Sequence, residues 1–102
     1  PNDAGLQAGV LELIRKLPDN AAVERELAAY AARFPNVAHV QADIGQTYHQ
    51  AKRYDLAVER YRQALKADPK DAATWANLGA ALRAQGKEAD AIAALRKAAE
   101  LS

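Results

Sequence analysis

A sequence that matches itself at a fixed offset is held to a narrow set of folds, and this chain does so at 34 residues. Displaced by that interval, Ile44 falls on Leu78, Gly45 on Gly79, Tyr48 on Leu82, Ala57 on Ala91, Tyr61 on Leu95 and Ala64 on Ala98. One further step back sets Pro35 against Pro69. A period of this size marks a stack of supersecondary units, each burying its apolar face against the next. The repeated positions include glycine and alanine as well as the large apolar residues. What recurs is therefore a packing geometry, with places for close approach as well as places to fill.

The units are helical. Proline, glycine and polar clusters divide the chain into six amphipathic segments, near 4–17, 20–34, 37–51, 54–67, 71–85 and 88–101. Each is about four turns long. Alanine supplies 26 of the 102 residues, against one Phe, one Trp and four Tyr. Alanine has the best helix propensity, and its small side chain lets helix axes approach. Pro18, Pro35 and Pro69 stand at or just beyond helix ends, and Gly86 suits a left-handed residue after the fifth segment. Asp71 is placed to cap the fifth segment, and Asp19 or Asn20 the second. The connections are short, so consecutive helices run antiparallel. The expectation is an all-α chain of six helices in three hairpins.

Composition excludes several functions. A length of 102 residues holds one small domain. The formal net charge is +1, from 14 basic and 13 acidic residues, which gives no electrostatic footprint for nucleic acid. Cysteine is absent, which removes disulfides, zinc–thiolate sites and thiol catalysis. No apolar run approaches the ~18 residues of a membrane span, so membrane insertion is not expected. Methionine is missing throughout, which points to a processed chain or a piece of a longer one. No Ser–His–Asp set, paired carboxylates or glycine-rich phosphate loop is present, so the reading is non-catalytic and without cofactors. His39 and Asp43 stand four residues apart on one helix face, but zinc requires at least three protein ligands. His49 lies ten residues from His39, ~15 Å along the helix, so no metal site is expected.

Trp75-x-x-Leu78-Gly79-x-x-Leu82, followed by Ala91, Leu95 and Ala98, resembles the tetratricopeptide repeat. The preceding copy, Ile44-Gly45-x-x-Tyr48 with Ala57, Tyr61, Ala64 and Asp68-Pro69, resembles it too. That copy departs at Gln41, where the counterpart of Trp75 is not aromatic, and at Lys52, where the other copy has Gly86. Residues 1–35 match poorly: Leu11 and Val23 occupy small positions, and only Leu27 and Pro35 fit well. The resemblance implies a right-handed α-solenoid of three stacked helix hairpins. It implies one domain over 1–102: a degenerate first repeat or capping helix pair at 1–35, a second repeat at 36–69 and a third at 70–102. Gly45 and Gly79 are then expected where the first helix of a repeat crosses the second, at Ala57 and Ala91.

In this family the first helix of each pair lines a concave groove. By that phase the second repeat presents His39, Ala42, Asp43, Gln46, His49 and Gln50, and the third presents Ala73, Ala76, Asn77, Ala80, Arg83 and Ala84. The first presents Gly5, Ala8, Gly9, Glu12, Arg15 and Lys16. The candidate contact residues are Glu12, Arg15, His39, Asp43, Gln46, His49, Asn77 and Arg83. Asn77 stands out, because a carboxamide both donates and accepts and so clasps a peptide backbone. The Lys/Asn/Arg clamp with which co-chaperones of this family bind acidic tails is not reproduced. Its positions carry Ala8, Glu12, Asp43, Ala73 and Asn77.

These features lead to a protein–protein interaction scaffold whose groove binds a peptide or a partner helix. Two alternatives accompany it. One is self-assembly into a homo-oligomer through an uncapped C-terminal helix, with its open side near Ala94 and Leu101. The other is an accessory segment of a larger enzyme such as a transferase.

Overall fold

The computed structural model describes residues 13–14 and 20–102. Within them every regular element is an α-helix: α1 (Asn20–Arg33), α2 (Ala38–Gln50), α3 (Tyr54–Ala67), α4 (Ala72–Ala84) and α5 (Glu88–Leu101). Five helices replace the six expected, because the segment at 4–17 lies outside the described residues apart from Leu13 and Ile14. Both of these are helical, and Ile14 is buried in the core. The proposed cap at Asp19 also falls outside.

The ends of the helices follow the punctuation. Pro35 sits in the turn between α1 and α2, and Pro69 in the turn between α3 and α4. Asp71 caps α4: its Oδ1 accepts from the Thr74 N–H at 3.5 Å, and its Oδ2 accepts from the Thr74 hydroxyl at 2.7 Å. Helices α2 and α4 both end in the Schellman arrangement. The N–H groups of Arg53 and Lys87 donate back to the carbonyls of Tyr48 and Leu82, each at 2.9 Å. The residue before each donor is left-handed, Lys52 at φ 63° and Gly86 at φ 79°. The departure from glycine at Lys52 leaves the turn unchanged, at a conformational cost of ~1–2 kcal/mol to a residue with a Cβ.

Packing is strongest within two pairs, α2 on α3 and α4 on α5. Helix α4 joins the pairs by lying on α3, and α1 touches α2 more lightly. Both crossings expected at glycine are present. A Cβ on Gly45 would lie 2.8 Å from the Tyr61 ring and 3.3 Å from the Ala57 carbonyl oxygen. A Cβ on Gly79 would lie 2.7 Å from Leu95 Cγ and 3.2 Å from the Ala91 carbonyl oxygen. Tyr61 and Leu95, like Ala57 and Ala91, are 34 residues apart. The internal repetition is thus a repetition of contacts. One continuous core runs through the helices, from Leu27, Tyr30 and Ala31 of α1 to Ala91 and Ala94 of α5.

The far side of α5 differs from the sequence expectation. Ala94 is buried, packed into the core, and Leu101 is half-buried. The large apolar side chains that stand open on α5 are Ile92 and Leu95, at 48% and 41% exposure. Leu95 therefore only half fulfils the role of packing within its pair, whereas Ala91 and Ala98 are buried.

Candidate functional site

Helix α2 buries Val40, Gln41, Ile44, Gly45, Thr47 and Tyr48. Its remaining stripe includes His39, Gln46 and Gln50, which are exposed, and Ala42, Asp43 and His49, which are half-buried. On α4 the images of these residues one period later behave alike, save that Arg83 is exposed where His49 is half-buried. Ala73, Ala80, Arg83 and Ala84 are exposed, while Ala76 and Asn77 are half-buried. Helices α2 and α4 touch, so the two stripes are neighbours. Glu12 and Arg15, together with Gly5, Ala8, Gly9 and Lys16, lie outside the described residues.

The stripe on α2 is engaged locally. Asp43 supplies its backbone carbonyl to the Thr47 hydroxyl at 3.0 Å. Its carboxylate is near enough to Tyr30 on α1 to act on that phenol, whose pKa rises through burial first and the Asp43 charge second, with Arg33 opposing. His49 meets the ring of Tyr54 edge-on at 5.4 Å and places Nδ1 3.4 Å from the Tyr61 hydroxyl. Burial alone pushes the Tyr61 phenol up to about 12, so that hydroxyl stays protonated beside the imidazole at neutral pH. Part of His49 is consequently spent on packing the α2–α3 turn. Among the described residues, no group of three or more His, Asp or Glu side chains gathers in a way that could hold a metal ion. No described helix is long and apolar enough to cross a membrane.

Two features were not expected. The first is Gln41, which is fully buried. Its Nε2 donates to the carbonyls of Ala31 and Phe34, each at 2.9 Å, and its Oε1 accepts from the Arg60 guanidinium at 2.9 Å. The Ala31 carbonyl would ordinarily receive the N–H four residues on, but that residue is Pro35, which has none. Gln41 thus fills the vacancy that the helix-ending proline creates. Gln63 of α3 donates to the Pro35 carbonyl at 2.9 Å and holds the same turn from the other side. In the other copy Trp75 donates its indole N–H to the Pro69 carbonyl at 2.8 Å. A carboxamide and an indole, unlike in every other respect, each tie a helix to the turn before it. The only sequence signal for this was an unexplained polar residue at an apolar position.

The second feature is a pair of clefts away from the stripe. One, of about 390 Å³, lies between α1 and α3 over Tyr48, with Ala28, Ala32, Leu56 and Arg60 among its walls. The other, of about 400 Å³, lies between α3 and α5. Trp75, Leu78 and Leu82 of α4 form its floor, and Arg62, Asp90 and Lys97 stand at its rim.

No curated protein matches the chain. A family model described as a TPR repeat matches residues 45–86, and a second, described as a tetratricopeptide repeat, matches residues 72–102. The two overlap across α4 and together span more than half of the chain. They cover both glycine crossings, both left-handed turns and the whole second helix pair, and the chain belongs to the tetratricopeptide repeat family.

Proposed function

We propose that the stripes on α2 and α4 form one side of a groove that receives an extended peptide or a partner helix, in keeping with a family whose repeats generally mediate protein–protein interaction. In this reading residues 1–35, 36–69 and 70–102 form three pairs of a single right-handed solenoid domain, and the groove is its concave face. The observation that carries the proposal is the matched pattern on the two helices. Each keeps one stripe out of the core, in the same phase, at positions one period apart. Asp43 and Asn77 are images of one another, as are His49 and Arg83. Small Ala42, Ala73, Ala76 and Ala80 leave space for a ligand backbone between polar groups. Asn77 then supplies both a donor and an acceptor to that backbone, and Asp43 sets the charge preference.

A second reading has one observation in its favour. The cleft between α3 and α5 has an apolar floor of Trp75, Leu78 and Leu82 with charges at its rim, which suits an apolar side chain of a partner. One experiment separates the two. A partner captured from the source organism is titrated against Asn77→Ala, Asp43→Lys and Arg62→Ala. Groove binding predicts that Asn77→Ala weakens the complex by about 1–3 kcal/mol, that Asp43→Lys alters partner preference, and that Arg62→Ala is neutral. Loss of affinity in Arg62→Ala alone transfers the site to the cleft.

A further inference from the structure

The cleft between α3 and α5 is the cleft between α1 and α3 repeated one period later. Tyr48, Leu56, Glu59, Arg60 and Gln63 around the first fall on Leu82, Asp90, Ala93, Ala94 and Lys97 around the second, and Ala28 falls on Arg62. The volumes agree, at about 390 and 400 Å³. These positions keep their place around the cleft, yet none of them keeps its residue. Inside the first cleft Arg60 donates to buried Gln41 at 2.9 Å and to Glu59 at 2.8 Å. In the second, the images of Arg60, Glu59 and Gln41 are Ala94, Ala93 and Trp75. The polar bridge gives way to methyl groups and an indole. At the edge the change runs the other way, and neutral Ala28 and Gln63 become Arg62 and Lys97.

We infer that the α3–α5 cleft seats an apolar side chain of a partner polypeptide whose flanking residues are acidic, an inference that rests on the cleft reading and not on the groove. Arg62 on α3 and Lys97 on α5 stand exposed on opposite walls. Arg62 joins none of the ion pairs among the described residues, and Lys97 reaches Glu100 only loosely, at 3.9 Å. Asp90 is the single carboxylate around this cleft among the described residues, so two bases face one acid. An apolar side chain on Trp75, Leu78 and Leu82 leaves water, and carboxylates on either side of it in the partner's chain meet both bases. A lysine or arginine in those flanks meets like charge. The fold itself does not require the bases, because the first cleft has the same shape with Ala28 and Gln63 in their places.

Trp75 is the only tryptophan of the chain and lines the cleft, so its fluorescence reports occupancy. The probes are three blocked pentapeptides with a central phenylalanine, flanked on each side by a pair of glutamates, glutamines or lysines. The glutamate peptide is expected to bind about fivefold tighter than the glutamine peptide, with the lysine peptide weakest. That advantage shrinks as salt is raised. Arg62→Glu combined with Lys97→Glu is expected to reverse the order. Ala93→Glu, which places the acid of the first cleft in the second, is expected to weaken the glutamate peptide. Asn77→Ala is expected to bind it as the parent does, and circular dichroism confirms the helical fold of each variant. Equal binding of the glutamate and glutamine peptides overturns the acidic flanks and leaves the cleft as a seat for the phenylalanine alone. If no peptide changes Trp75 fluorescence at ~1 mM, the cleft reading falls together with this inference. Weakening by Asn77→Ala also overturns it, because the probe then lies in the groove.

Discussion

The α2–α3 pair and the α4–α5 pair trace one backbone design with different side chains in three equivalent places. At the glycine crossing the first pair presses a buried Tyr61 ring against Gly45, while the second presses a half-open Leu95 against Gly79. At the tie to the preceding turn the first uses buried Gln41 and the second uses Trp75. At the left-handed turn the first has Lys52 and the second Gly86. The backbone tolerates all three exchanges, so the repeat is defined by close approach, a tie and a turn, not by the residues that provide them. The local surroundings then decide how much each choice costs.

The crossing gives the largest expected effect. Tyr61 is 1% exposed and held on every side, whereas Leu95 can swing toward solvent. Gly45→Leu should therefore cost more than ~3 kcal/mol and Gly79→Leu about 1–3 kcal/mol, in each case through overpacking. Denaturant midpoints for the two variants check the order. Equal losses would show that solvent access does not relieve the second crossing, and no loss at Gly79 would remove the close approach itself.

The tie comes next. Gln41→Leu keeps the volume but strands the Ala31 carbonyl. It also takes one hydrogen bond each from the Phe34 carbonyl, which keeps the Val37 N–H, and from the Arg60 guanidinium, which keeps Glu59. The sum should cost about 2–4 kcal/mol. Trp75→Phe loses one hydrogen bond to an exposed turn carbonyl and should cost about 1 kcal/mol. Thermal unfolding of the two variants measures the difference. Equal effects would mean that the buried tie has no more weight than the exposed one.

The turn gives the smallest effect and the cleanest one. A Cβ at Gly86 meets nothing within 4 Å, so substitution there changes backbone energy alone. Lys52→Gly should stabilise the protein by about 1 kcal/mol and Gly86→Ala destabilise it by a similar amount. Combined, they should nearly cancel in a chemical denaturation series, because each acts through its own φ angle. A destabilised Lys52→Gly would mean that the lysine side chain contributes more than its φ angle costs.

Much of this architecture is legible in the sequence, because its signals are local or strictly periodic. Pro35, Pro69 and Gly86 end helices through their own backbone chemistry, Asp71 caps through a side chain three residues from its partner, and the 34-residue offset identifies Gly45 and Gly79 without reference to any contact. Gln41 was not legible in that way. Its value depends on the Ala31 carbonyl at the end of another helix, freed by the proline in the turn that follows, and a pattern of apolar spacing registers only an aromatic that is missing. The open side of α5 was expected near Ala94 and Leu101, and for a related reason it lies instead at Ile92 and Leu95. Their residue types mark them as packing positions, but whether anything packs on them is decided by the next helix and not by their own. The candidate stripe of polar residues could be phased from the repeat, whereas the clefts between alternate helices form from three helices at once and have no signature in any one of them.

The succession of contacts, each helix resting mainly on the ones adjacent to it in the chain, has a kinetic meaning. No described helix must wait for a distant segment before it gains stability, so the α4–α5 pair and the α2–α3 pair can each form as a hairpin and then zip across the α3–α4 seam. Unzipping runs the same way. Among the described helices, α1 rests most lightly on its neighbours, held to the α2–α3 pair by Leu27, the Gln41 tie and the 2.8 Å Arg53–Glu24 ion pair, and its amide protons are expected to exchange before those of the two pairs.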